Sequence, residues 1–163
     1  MTADLTPSDP SLPALKGLPM SRRIVSGLDS EGKSAILIDE ELQFNETGGI
    51  LAWLTTSVPA DNTGTPPADV VLSLELMQSA ASTFIVVRIP PGTGSEMHAT
   101  DTIDYITMIS GRITFGVETG SLTLSPGDVL VDRGIVHSWR NDGDEDAVYT
   151  VVAMPASPVV PRP

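Results

Sequence analysis

Two histidines, His98 and His137, are the only imidazoles in the 163-residue chain, and there is no cysteine. Imidazole is the one side chain whose ordinary pKa lies near neutrality, and without thiolates it is also the best soft or borderline metal ligand present. The absence of cysteine removes disulfides, thiolate zinc sites, iron–sulfur ligation and a Cys nucleophile. His98 lies in GTGSEMHATDTIDYITMISG, just after a Pro-Pro-Gly turn. An extended chain from 98 to 108 puts His98, Thr100, Thr102, Asp104, Ile106 and Met108 on one face, because side chains alternate along a strand. Ala99, Asp101, Ile103 and Tyr105 then face the other way. His137 lies in PGDVLVDRGIVHSWRN after a turn at Arg133-Gly134, and shares strand parity with Trp139 and Asn141. A lone histidine is usually a satisfied structural residue. Two neighbouring strands, however, would bring His98, Asp104 and His137 together inside a barrel.

The elements that must position them read as β. SAILID (34–39), ILAWLTTS (50–57), STFIVVRI (82–89), DYITMIS (104–110), RITFGVE (112–118), SLTL (121–124), DVLV (128–131) and AVYTVVAM (147–154) are short and rich in Ile, Val, Thr and aromatics. Gly, Pro, Asn and Asp turns separate them, which suggests a sandwich or closed barrel. The stretch 70–82 is ambiguous: Leu72, Leu74 and Leu76 alternate like a strand, while its end suits a helical turn. Prolines make an irregular arm of residues 1–20, a loop of 59–67 and an irregular tail over 155–163.

Composition narrows the partners. Twenty-one acidic residues against nine basic ones give a net charge of −12 and a pI near 4.3. That balance argues against nucleic acid and anionic membranes. A mean hydropathy of +0.11 excludes general disorder. No stretch of the sequence resembles a signal peptide or a membrane span, so the cytoplasm is the expected compartment.

The two histidine segments resemble the paired motifs of the cupin superfamily, the small double-stranded β-helix proteins. The first motif runs from glycine through His-x-His, a Glu and a further Gly. Here Gly92 precedes His98, Asp104 stands at the Glu position and Gly111 closes it. Gly127, Gly134, His137 and Asn141 match the second motif. Met97-His98, Thr100-Asp101, Asp104-Tyr105 and the run Arg133 to Asn141 are similar to a subset of small bacterial and fungal cupins, several of which lie beside natural-product pathway enzymes. Thr100 replaces the second histidine, Asp104 is shorter than Glu, and Asp132 stands where a turn proline is usual. The resemblance spans residues 82–155 closely and 21–81 loosely. It implies an all-β jelly-roll barrel over 21–157, between a Pro-rich arm (1–20) and tail (158–163).

Three kinds of activity follow. Acid–base chemistry would use His137 as base with His98 or Asp104 orienting it or returning the proton, as a lyase or isomerase (dehydration, decarboxylation or enolisation) acting on an oxygenated, aromatic or polyketide-like compound in secondary metabolism. A two-His, one-carboxylate set of His98, Asp104 and His137, with Asp101 as substitute, would hold Fe, Mn, Ni or Zn and support a dioxygenase. A non-catalytic barrel would bind a flat apolar ligand at a mouth of Trp53, Tyr105, Met108 and Trp139. Arg133 is the candidate to clamp a carboxylate or enolate, with Asn141 nearby; Arg88, Arg112 and Arg140 are less suited. The acidic run 141–146 reads as a solvated hairpin tip rather than a calcium loop. An exposed β-edge is expected to be covered in a homodimer, with residues near 20–40 against the partner.

Overall fold

The computed structural model describes residues 22–44, 48–63 and 70–159. The described chain runs through β1 (Arg22–Leu28), β2 (Ser34–Glu41), β3 (Gly49–Thr55), helix α1 (Leu74–Ser79), β4 (Ser82–Ile89), β5 (Gly94–His98), β6 (Thr102–Ser110), β7 (Ile113–Val117), β8 (Gly120–Leu124), β9 (Val129–Asp132), β10 (His137–Arg140) and β11 (Ala147–Pro155). Two antiparallel sheets face each other, one ordered β3-β4-β11-β6-β9 and the other β5-β10-β7-β8. A separate hairpin, β1-β2, completes the strands. This is the all-β jelly roll the sequence implies. The 1–20 arm, residues 64–67 of the proline loop and residues 160–163 of the tail lie outside the described residues.

Alternation builds the interior. Along β11, Ala147, Tyr149, Val151 and Ala153 are buried while the residues between them are half-buried. Along β6 the buried set is Thr102, Asp104, Ile106 and Met108. These faces join Ile85, Ile113, Phe115, Leu124 and Trp139 in one apolar core between the sheets. Each fully buried large apolar side chain contributes roughly 1.5–3 kcal/mol. A second cluster of Leu42, Ile50, Ala52 and Val86 lies on the other face of the five-stranded sheet.

The chain from 98 to 108 is not one strand. β5 ends at His98 in the four-stranded sheet, residues 99–101 turn the corner, and β6 begins at Thr102 in the five-stranded sheet. His98 and Asp104 therefore reach the site from opposite sheets. β5 itself has five exposed residues, GSEMH, and carries no apolar alternation to announce it. Its pairing with β10, through His98↔His137 and Gly94↔Arg140, is what makes it a strand. Residues 74–79 take the helical option: Ser73 caps α1 by accepting a hydrogen bond from the Leu76 N–H at 3.1 Å.

Gly134 shows how tightly the corner is packed. Its φ is +73°, and a Cβ there would lie 2.4 Å from the Thr100 carbonyl oxygen and 2.9 Å from that of Thr102. Backbone oxygens at a strand corner cannot retreat. Gly134→Ala is therefore expected to cost at least about 2 kcal/mol and to lower the melting temperature by about 5 °C or more. A melt unchanged by this substitution would contradict the packing of the β9–β10 turn against the β5–β6 corner.

Candidate active site

The site forms where the two sheets meet. His137 opens β10, opposite His98 of β5 on one side and Val117 of β7 on the other. His137 is 3% exposed, while His98 is exposed. The two ring centroids are 4.4 Å apart, and the Phe115 ring stacks on His137 at 5.4 Å. The Trp139 ring stands edge-on to His137 at 6.0 Å and stacks on Tyr149 at 5.2 Å. The imidazole thus sits against an aromatic wall.

Both rings are anchored alike. The His98 Nδ1 lies 2.8 Å from the Glu96 carbonyl oxygen and the His137 Nδ1 lies 2.8 Å from that of Ile135. A carbonyl only accepts, so each Nδ1 donates, and Nε2 is the free nitrogen of each neutral ring. A second acceptor, Asp132 Oδ2, lies 3.0 Å from the His137 Nδ1. The aligned bond goes to Ile135 and Asp132 makes an electrostatic contact, because among the described residues no hydrogen-bond donor is aligned on Oδ2.

Two carboxylates stand together across β6 and β9, where Asp104 pairs with Asp132. They are 8% and 2% exposed. Asp104 Oδ1 is buried with no hydrogen-bond partner among the described residues. Burial pushes the Asp104 carboxyl above its ordinary range; the Asp132 charge adds to this, and the Thr102 hydroxyl and the two imidazoles pull less strongly the other way. For His137, burial alone depresses basicity. The Asp132 contact, the Ile135 carbonyl and the Asp104 charge together outweigh it and hold His137 above the usual histidine range. The buried Tyr149 hydroxyl is pushed up as well, by burial and then by the charge of Asp104.

The remaining candidates fall in several places. Met108 and Trp139 belong to the inner core. Tyr105 is 46% exposed, on the outer face of β6, because its parity is opposite to that of Asp104. Trp53 also lies on the outer side: a bulge between Leu51 and Trp53 sets it opposite Phe84. There it lines a cleft of about 730 Å³ with Arg22, Arg23, Phe84 and Ile109. The expected barrel mouth of Trp53, Tyr105, Met108 and Trp139 therefore does not assemble.

Asn141 is fully buried, and its Nδ2 donates to the Ile89 and Glu145 carbonyls, both at 2.8 Å. Its Oδ1 accepts from the Gly143 N–H at 2.9 Å, so it is a brace for the turn after β10. Arg133 is exposed, whereas its neighbour Asp132 turns inward. Arg88 is buried but faces Asp146 at 3.7 Å and the Phe44 ring at 5.0 Å. Asp101 sits on the β5–β6 turn, where its carbonyl accepts from the Ala156 N–H.

The sequence reading missed Asp132 as a site residue, together with Phe115 and Tyr149. The signal for Asp132 was its parity: it alternates with Leu130, which packs against the core, on a strand whose Val129 and Val131 are exposed. A carboxylate at an inward position of an apolar strand needs a partner. Among the described residues no three His, Asp or Glu side chains come together as a metal-ligand set. At Thr100, where the resemblance puts a second histidine, the hydroxyl accepts from Thr102 at 2.9 Å. The expected His98–Asp104–His137 set thus does not fit a tightly held ion. Nor, among the described residues, is any helix long and apolar enough to cross a membrane.

The Cupin domain family matches residues 85–153. Phomopsin biosynthesis cluster protein D of Diaporthe leptostromiformis is 32% identical over 133 residues, covering 73% of this chain and 69% of that protein. The cupin-domain-containing oxidoreductase fogC of Aspergillus ruber is 26% identical over 136 residues, covering 78% of this chain and 67% of that protein. A Cupin 2 conserved barrel domain protein from Salinispora arenicola CNS-205 is 20% identical with a TM-score of 0.44, covering 55% of this chain and 71% of that chain.

Proposed function

Because the chain belongs to the cupin superfamily, we propose that its barrel is the active site of a small-molecule enzyme that moves protons on an oxygenated, aromatic or polyketide-like substrate. The observation that carries this reading is the buried His137 beside a buried carboxylate, Asp104, one of whose oxygens has no hydrogen-bond partner among the described residues. His137 Nε2 takes a proton from carbon next to a carbonyl. The C–H electron pair moves into the C–C bond, and the carbonyl oxygen carries the resulting enolate charge. Asp104, whose proton burial helps to retain, returns one: to carbon in an isomerisation, or to a departing hydroxyl that leaves as water in a dehydration. The buried Asp132 carboxylate, together with the enolate charge that the step creates, makes the interior a poor host for a substrate that is already anionic and a good one for a neutral compound with a hydroxyl to offer Asp104. That replaces the earlier expectation of an Arg133 clamp.

The pathway setting rests on the biosynthesis-cluster relative in Diaporthe leptostromiformis. A second reading, oxidation, is favoured by the oxidoreductase name of the Aspergillus ruber relative. Incubation in D2O with a panel of hydroxylated aromatic ketones and β-dicarbonyl compounds separates the two. Proton transfer puts deuterium at carbon without consuming oxygen, whereas oxidation consumes oxygen and depends on a metal or an organic oxidant.

The proposal includes a homodimer formed through the β1-β2 hairpin. Ile24, Leu28, Ile36 and Leu37 are each at least half exposed on that hairpin, an apolar surface suited to a second copy. Light scattering at micromolar concentration is expected to give twice the 17.1 kDa chain mass; a monomer would remove this part of the proposal.

A further inference from the structure

We propose that Asp132 is the positioning residue of the proton-transfer site, holding His137 in the Nδ1–H form so that Nε2 faces the substrate. The proposal rests on the reading of His137 as base, but its main readout needs no turnover.

The two histidines supply an internal comparison. Each ring places Nδ1 at 2.8 Å from the carbonyl two residues upstream. Among the described residues only His137 has a carboxylate oxygen, Asp132 Oδ2, in a further 3.0 Å contact on the same nitrogen. Both side chains of that contact are almost wholly buried, so the attraction is little screened. An Nδ1 lone pair would face two acceptors at once, so this environment admits only the Nδ1–H form. The other carboxylate oxygen is fixed independently: Oδ1 accepts from the Gly134 N–H at 3.1 Å. Asp132 is thereby locked in one rotamer by the same tight turn that a Cβ at Gly134 would disrupt. The arrangement follows the logic of an orienting carboxylate behind a catalytic imidazole, which fixes the ring's tautomer and stabilises the imidazolium that forms when Nε2 takes a proton.

Asp132 also explains its own cost. A buried carboxylate oxygen such as Oδ2, with no aligned donor among the described residues, is destabilising. An Asx turn at Gly134 needs one side-chain oxygen, which Asn provides equally well. The charge at Oδ2 is therefore not required by the turn; it is required by the ring.

The test is the imidazole nitrogen spectrum of uniformly 15N-labelled protein, recorded by long-range 1H–15N correlation on the alkaline side of the histidine titration. With two histidines, a His98→Gln variant assigns the signals. The wild type is expected to show His137 wholly as Nδ1–H. In Asp132→Asn, Oδ1 keeps the Gly134 bond and the amide NH2 then faces Nδ1. Donor meets donor, so the Nε2–H form of His137 should appear as a substantial fraction while the His98 signals stay unchanged. Deuterium uptake should fall by about 10²- to 10⁴-fold, mainly in kcat.

A wild-type His137 found as Nε2–H or as a mixture overturns the proposal without any variant. So does Asp132→Asn that leaves the His137 signals as they were. Should Asp132→Asn not fold, Asp132→Ser retains a turn oxygen and removes the charge; the Ile135 carbonyl then holds Nδ1–H alone, so the expected change is a fall in the His137 titration midpoint with that of His98 unchanged, and an unmoved His137 midpoint overturns the proposal. A shifted tautomer with undiminished proton exchange would instead leave Asp132 in place and overturn the reading of His137 as base.

Discussion

Replacement of His137 by alanine is expected to remove deuterium uptake, with a loss of about 10²- to 10⁴-fold in the rate of proton transfer. His137 is the buried imidazole, and because its Nδ1 donates to the Ile135 carbonyl its Nε2 is left to accept. His98 is exposed, so it cannot substitute in the same dry surroundings. The variant also strands Asp132, whose Oδ2 contact is with His137. The measurement is therefore paired with a melt: a folded His137→Ala protein that exchanges as fast as wild type would end the acid–base reading.

The second large effect belongs to Asp104→Asn, which keeps the shape and removes the charge and the transferable proton. Deuterium uptake should fall by about 10²- to 10⁴-fold. The limb of the rate profile on the acid side should move to lower pH, because the charge of Asp104 helps to raise His137. The fold should respond in the opposite sense. Asp104 is raised in the folded chain, so with rising pH the unfolded chain releases this proton first. Stability from this group is thus present near pH 4 and is lost as pH climbs through the raised folded value. His137, also raised, contributes below its ordinary value and loses that contribution as pH rises through its folded one. Asp104→Asn abolishes the first of these losses. Relative to wild type it should be near neutral at pH 4 and more stable at pH 8 by about 1–3 kcal/mol, the cost of a buried unpaired polar group. Urea midpoints at the two pH values check this. Were Asp104 a metal ligand, the amide would hold metal less well, and metal content would fall with activity. A rate and pH profile both unchanged would remove Asp104 from the site and make Asp101 the carboxylate to test.

The jelly roll was legible because its central strands bury one face each. STFIVVRI and AVYTVVAM are read from their residues and appear as Ser82–Ile89 and Ala147–Pro155. β5 was not legible, since GSEMH is exposed throughout and exists only as a partner of β10. The parity argument for Asp104, Ile106 and Met108 succeeds within β6. It fails as an account of His98, because the chain changes sheets at 99–101. Trp53 escaped for a comparable reason: a bulge reverses parity, and no residue type in ILAWLT marks where it falls. Asn141 was noticed, but motif position alone cannot tell a brace from a binding group. Its three hydrogen bonds to backbone decide that. Asp132 was passed over as a departure from a family pattern, although its inward parity beside Leu130 already asked for a partner.

The central claim is that His137 and Asp104 move protons without a bound metal. It is tested most directly by deuterium uptake into the carbon acid that the panel identifies, using wild-type protein after exhaustive chelation with metal content measured on the same sample. Undiminished uptake in metal-free protein, absent in His137→Ala, is the predicted result. Uptake that disappears on chelation and returns with one divalent ion would contradict it.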